Sequence, residues 1–379
     1  MTHHVTLDRF DHYLLSMLIH GVNLQRGQSL MIFGNTQDKA LIDHLTELAV
    51  ACRAKTVMRL YYQDYVSMPI QSLLDKAEEG WAFLKLNLFE RFVNEDDQSA
   101  KMDAFSAYLK PLSAYSQHGK IQSCSSVIPS VSWSTHVFPE LSESDAVERM
   151  KEELIAAGHC DLNNDLNQVK AHTHRLKASV LRLNKSHLTA LTFKSQTCNL
   201  TIGLHEDSIW IGGPQLANGV DYLPNYPTQE VFTANLKHQV NGWFRITRAF
   251  RFMDQLIADL IVTIQDGQVK SMESSQDIRA FKDHVFSKDS RRYFGEIALV
   301  PRINPIAQRG RLYDCVLLDE NAVCHIALGN AYPVSIKDHE TKVEDDLINA
   351  SDLHLDLMIG SEDLVIRAYD GTRWFDLNP

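Results

Sequence analysis

The sequence predicts two domains: an amino-terminal α/β domain with a parallel sheet covered by helices, and a carboxy-terminal α+β domain on a mixed sheet. Three observations carry the fold expectation. A strand–helix–strand pattern lies between Val22 and Tyr62, a second strand is followed by a helix after Cys124, and at Leu188 the texture changes to short alternating strand-like pieces. At about 100 to 200 residues per domain, 379 residues accommodate both.

In the first domain a turn at Gly27 precedes the apolar run Leu30 to Phe33, short enough for a buried strand. Asn35 or Thr36 can cap the helix that follows, in which Leu41, Ile42, Leu45, Leu48, Ala49 and Cys52 recur at helical spacing. Thr56 to Tyr62 is β-branched and aromatic, which completes a βαβ unit and favours parallel pairing. Cys124 to Pro139 reads as a strand and a loop, and Ser142, with Glu143 and Asp145 behind it, opens a helix. Leu166, Val169, Thr173, Leu176, Val180 and Leu183 then step by three and four, placing one apolar stripe against the first domain. Asn184-Lys185-Ser186 ends that helix, and the domain boundary is placed at 186, giving domains 1–186 and 187–379.

The second domain continues with strands at Leu188 to Phe193, Asn199 to Leu204, Ser208 to Ile211, Arg245 to Ala249, Leu256 to Gln265, Val269 to Met272 and Ile297 to Val300. Asp266-Gly267 is a hairpin turn and Gln276 to Val285 a helix. Gly212-Gly213-Pro214 and Gly329 read as turn glycines rather than phosphate cradles.

Composition excludes several classes. Lys and Arg number 37 against 48 Asp and Glu, a net charge of -11 that repels a phosphate backbone, so no nucleic-acid partner is expected. No apolar run approaches the roughly 18 to 20 residues of a membrane span, and Met1-Thr2-His3-His4 opens neither a signal nor a transit peptide, so no membrane association and a cytoplasmic location are expected. Six cysteines without a C-x-x-C pair read as reduced, buried thiols. H-E-x-x-H, G-x-S-x-G, P-loop and G-x-G-x-x-G signatures are all absent.

Four segments carry possible chemistry. In Leu353-His354-Leu355-Asp356-Leu357, strand alternation puts His354 and Asp356 on one face, which is either a ligand pair or the polar side of a half-buried strand. Asp319 to Gly329 reads as a short helix capped near Glu320 or Asn321, with His325 in its interior and Tyr332 just beyond. Glu296 lies within Phe294 to Val300 and Glu230 within Asn225 to Thr233. Burying either carboxylate in such apolar company costs several kcal/mol unless a cation compensates it. The remaining histidines, His172, His174, His136 and His187 among them, read as surface residues, and His3 and His4 as a solvated terminus.

Taken together, NYPTQEVFT, GEIALV, DENAVCHIALGNAYP and HLDLMIGS resemble the thermophilic-type metallo-aminopeptidases, the aminopeptidase T and aminopeptidase S family. GVNLQRGQSLMI and SVSWSTHVFP extend the likeness more weakly into the first half. The resemblance implies that Glu230, Glu296, His325, His354 and Asp356 hold two divalent metals, with Tyr332 close to the substrate. It implies a homodimer acting on peptides with a free amino terminus. Glu296 or Glu230 would bridge the metals or serve as base, and Tyr332 would stabilise the oxyanion. Imidazole with carboxylate suits zinc or cobalt, with manganese or magnesium as alternatives. Two rivals remain at this stage: a mononuclear iron ring-cleaving dioxygenase using His325, His354 and Asp356, and a non-catalytic peptide- or metal-binding protein.

Overall fold

A computed structural model describes residues 7–88, 96–160, 166–253, 255–338 and 346–378. His3 and His4 lie outside the described residues, as does the middle of the acidic stretch from Lys337 to Asp352. The chain divides into two compact units. The first comprises 1–174, 213–228 and 313–318, and the second 175–212, 229–312 and 319–379.

The first unit is organised by a five-stranded parallel sheet in the order Asn225–Tyr226, Ser123–Ser126, Ala82–Leu86, Leu30–Gly34, Val57–Tyr61. Leu30–Gly34 is buried along its whole length, the signature of a central parallel strand covered on both faces. Met31, Phe33, Phe83 and Phe105 share one core cluster of this unit. Asn35 accepts from Gln37 N at 3.0 Å to start the turn that leads into helix Lys39–Ala51. Ser142 caps Glu143–Ala157 through Asp145 N, as the sequence indicates. A helix the sequence reading leaves as loop, Val131–Val137, opens on Ser130, whose hydroxyl accepts from Trp133 N. The last strand of this sheet, Asn225–Tyr226, arrives from far along the chain, a pairing no local pattern announces.

Helix Asn167–Lys185 carries the expected apolar stripe, but the stripe is divided. Val169 belongs to the first unit, whereas Leu176 and Leu183, with Val180 against them, join the core of the second. The two compact units divide inside this helix, at 174/175, twelve residues before the boundary expected from the sequence.

Among the described residues of the second unit, the expected mixed sheet resolves into two large antiparallel sheets and a two-stranded one, Phe250–Phe252 with Gln255–Ile257. One has seven strands, in the order Gln268–Glu273, Ile261–Gln265, Val240–Arg245, Cys198–Gly203, Ala190–Lys194, Val365–Tyr369, Trp374–Asp376. The other has five, in the order His354–Met358, His325–Gly329, Phe294–Leu299, Val231–Thr233, Ile211–Gly212. Their apolar faces share one core that includes Phe193, Leu200, Phe244, Ile297, Ile326 and Leu357. The single strand expected over Leu256 to Gln265 is two, Gln255–Ile257 and Ile261–Gln265. All six cysteines are free thiols, five of them buried.

Candidate metal centre

The five-stranded sheet of the second unit turns one face to the core and the other to the candidate site. Val231, Ile297, Leu299, Ile326, Leu328 and Leu357 lie in the core cluster. The residues between them, Glu230, Glu296, His325, His354 and Asp356, alternate to the other face. Ala327 is paired with both Glu296 and Asp356, and Ala298 with His325, so antiparallel register alone brings three widely separated segments to one spot.

Two glycines are required for this assembly. Gly212 has φ +154°, and a Cβ there would stand 2.5 Å from the Glu230 carbonyl oxygen, so the strand bearing Glu230 can approach only a residue without a side chain. Gly295 is the bulge residue where the register shifts between Phe294 and Glu296, and a Cβ on it would meet the Asn330 backbone at 2.4 Å. The bulge re-aims the chain at the point where Glu296 must face the site.

His325 stands on a strand, His325–Gly329, rather than in the helix the sequence suggests. Val316–Asp319 forms a single helical turn and Glu320–Ala322 a 3₁₀ turn, after which the chain extends. The strand is buried on both faces, so it lacks the alternation that would have distinguished it from a helix. Cys324 consequently points to the opposite face from His325, with its thiol against Val300.

Glu230, Glu296, His325 and Asp356 are buried, and His354 is partly buried. His325 Nε2 lies 3.4 Å from Glu230 Oε2, 3.6 Å from Glu296 Oε1 and 3.8 Å from Asp356 Oδ1. His354 Nε2 lies 3.5 Å from Asp356 Oδ1. Glu296, His354 and Asp356 offer ligand atoms that all lie within 4.8 Å of one another. Each imidazole turns its other nitrogen to a carbonyl: His354 Nδ1 to Asn330 O at 2.9 Å, and His325 Nδ1 to Val323 O at 3.3 Å. An Nδ1–H donated in this way leaves Nε2 as the lone-pair donor, the arrangement that metal-binding histidines require. The sequence-predicted ligands thus converge in one place. Tyr332 is 41% exposed, with its ring 5.0 Å from that of His354.

The electrostatics show how much charge is concentrated here. Burial pushes Glu230 up to about 7, opposed by His325 and assisted by Glu296 and Asp356. Burial favours neutral imidazoles, yet the surrounding carboxylates outweigh it and raise His325 to about 10 and His354 to about 9. Desolvation and the same carboxylates hold the Tyr332 hydroxyl well above its ordinary range, hence neutral. In this state protons on the imidazoles offset the carboxylates. Glu230 Oε2 is buried without a hydrogen-bond partner among the described residues, and a cation is what would compensate it. The residues therefore fit a divalent metal, and imidazole with carboxylate is a donor set for borderline ions.

Glu320 is the functional candidate the sequence reading misses. Treated there only as a cap, it is raised well above the carboxyl range by burial and by Glu230, Asp356 and Glu296, which places a fourth carboxylate beside the cluster. Its only signal in the sequence is its position five residues before His325, meaningful once that stretch is known to be a turn followed by a strand. Of the histidines read as surface residues, His136, His174 and His187 are exposed, with His136 2.6 Å from Asp314, and His172 is buried with Nε2 2.8 Å from Thr228 O. The surface reading is corrected for His172: its polar atom finds a backbone partner inside the fold, which spacing along a helix does not reveal.

A face of buried carboxylates and imidazoles on an antiparallel sheet defines a metal-binding enzyme centre. The family model of the thermophilic metalloproteases (M29) matches residues 71–374, and the chain belongs to that family. It is 29% identical over 372 residues to "Aminopeptidase 2" of Geobacillus stearothermophilus, covering 91% of this chain and 90% of that protein. Among solved structures, wild-type AmpT from Thermus thermophilus superposes with a TM-score of 0.86 at 24% identity, covering 97% of each chain. A 2,5-dihydroxypyridine dioxygenase from Pseudomonas putida KT2440 superposes at 0.50 with 12% identity over 98% of this chain and 94% of that one, a likeness of fold alone. The chain is a metal-dependent peptidase.

Proposed function

We propose that the chain is a dinuclear metallo-aminopeptidase that removes the amino-terminal residue from peptides. One observation supports the two-metal reading: Glu296 and Asp356, which form one candidate ligand group with His354, also lie 3.6 and 3.8 Å from His325 Nε2, itself 3.4 Å from Glu230 Oε2. Two positions sharing two carboxylates is how five side chains serve two ions and still leave room for water. When bound, the metal pair polarises the scissile carbonyl, lowers the pKa of a water towards neutrality and offers a site for the free α-amine.

The chain's own residues supply the rest. Glu296 and Asp356, which face both imidazoles, would hold the ions, and Glu230 or Glu296 would accept the water proton and pass it to the leaving amine. Tyr332, held neutral, donates its O–H to the oxygen that becomes negative as water adds, a contribution of about 3 kcal/mol. Zinc or cobalt is the expected metal, with manganese or magnesium as alternatives. The chain is expected to work in the cytoplasm as a homodimer, and no described helix is long and apolar enough to cross a membrane. Light scattering at micromolar concentration checks the dimer, and a strict monomer overturns it.

Hydrolysis of leucine p-nitroanilide by chelator-stripped protein, before and after addition of zinc, cobalt or iron(II), tests the activity. Recovery with zinc or cobalt is expected. Silence with every metal, together with tight uptake of one iron, would favour the dioxygenase, for which at least one of Glu230 and Glu296 would be unnecessary.

A further inference from the structure

The aminopeptidase reading assigns the reacting atoms but leaves open which residue meets the side chain being removed. Phe232 is used by none of the chemistry above, and it lies two residues beyond Glu230 on the same face of its strand. Its partner across the ladder is Ala298, and the partner of Ala298 on the far side is His325. Only a methyl group therefore lies between the phenyl ring and the ligand imidazole along that row. The Phe232 ring centroid is 5.9 Å from that of Tyr332, and Tyr332 is in turn 5.0 Å from His354. All three rings are partly exposed. Phe232, with Ile211 paired to it on the outer side, thus brings partly exposed apolar surface to the edge of an otherwise acidic cluster.

We infer that Phe232, with the ring face of Tyr332, is the wall that receives the side chain of the substrate's first residue, and that it selects apolar and aromatic side chains. This rests on the aminopeptidase reading. An apolar group entering here covers ring surface that is otherwise wet, and each added methylene in such a pocket is typically worth roughly 10- to 200-fold in selectivity. An acidic first side chain gains nothing from this ring surface and would lose hydration against it, so it is disfavoured.

The test compares kcat/KM of the zinc- or cobalt-loaded protein on leucyl, phenylalanyl, alanyl and glutamyl p-nitroanilides for wild type, Phe232→Ala and Phe232→Leu. The expected result is that Phe232→Ala loses tenfold or more on the leucyl and phenylalanyl substrates, mainly through KM, and less than threefold on the alanyl one. Phe232→Leu should recover much of the loss. Zinc affinity measured by calorimetry should be unchanged in both variants, because neither alters a ligand. An equal loss on all substrates would mean that the ring only supports Tyr332 and would overturn the assignment, as would unchanged selectivity. A wild type active on none of the four would fail the aminopeptidase reading itself, and the wall with it.

Discussion

Glu296 and Tyr332 separate two contributions that activity alone would merge. Glu296 faces His325 at 3.6 Å and shares a ligand group with His354 and Asp356, so Glu296→Ala should abolish nearly all turnover and weaken metal uptake together. Tyr332 is proposed to act on the substrate. Tyr332→Phe should lower kcat by about 10²- to 10³-fold while metal affinity, followed by calorimetry, stays within a few-fold of wild type. Loss of metal in that variant would mean the hydroxyl is a ligand and not an oxyanion donor.

The two imidazoles also make a pH prediction. His325 at about 10 and His354 at about 9 are both raised above the ordinary value, so each is protonated at neutral pH when no metal is bound. A metal needs both lone pairs, so binding near pH 7.5 should release close to two protons, and fewer above pH 10. Calorimetry in buffers of different ionisation enthalpy reads this number directly, and no release would sink the protonated-imidazole picture. The linkage sign follows. Histidines with raised folded pKa values stabilise the metal-free fold fully below about 6.5 and lose that contribution as pH rises through 9 to 10. Glu230, raised to about 7, acts in the same direction by losing stability as it ionises. The melting temperature of chelator-stripped protein should therefore fall between pH 7 and pH 10 more steeply than that of the loaded form.

At the scale of elements, strand register builds the site and glycine permits it. Gly295→Ala would place a methyl 2.4 Å from the Asn330 backbone, and Asn330 is the carbonyl that orients His354. The substitution should cost about 1 to 3 kcal/mol of stability and weaken metal binding together. Ser142→Ala is the control. It removes the cap of Glu143–Ala157 in the other unit, should lower stability by about 1 kcal/mol, and should leave kcat/KM and metal affinity unchanged. Denaturant melts paired with calorimetry separate the two outcomes.

For the molecule as a whole, metal and fold are linked by mass action. The ligands come from three strands and a loop end separated by long stretches of chain, so binding favours the folded state by RT ln(1 + [L]/Kd), or about 2.7 kcal/mol at a hundredfold excess over Kd. Chelator should lower the melting temperature by several degrees, and zinc should restore it.

The sequence by itself determined the class of each half and named the five residues proposed as ligands. Leu30 to Phe33 and its following helix are written in local spacing, and His354-Leu355-Asp356 shows its face through simple alternation. Family motifs supplied Glu230, Glu296 and His325, whose surroundings are locally ambiguous. What only tertiary structure decided has one physical reason: it depends on partners distant in the chain. His325 is a strand residue because strands pair with it on both sides, and burial of both faces erased its alternation. The stripe of Asn167–Lys185 divides between two cores, although every apolar residue in it looks alike. Glu320 became a site residue, and Phe232 a candidate wall, only when register and burial set them beside carboxylates and rings dozens of residues away.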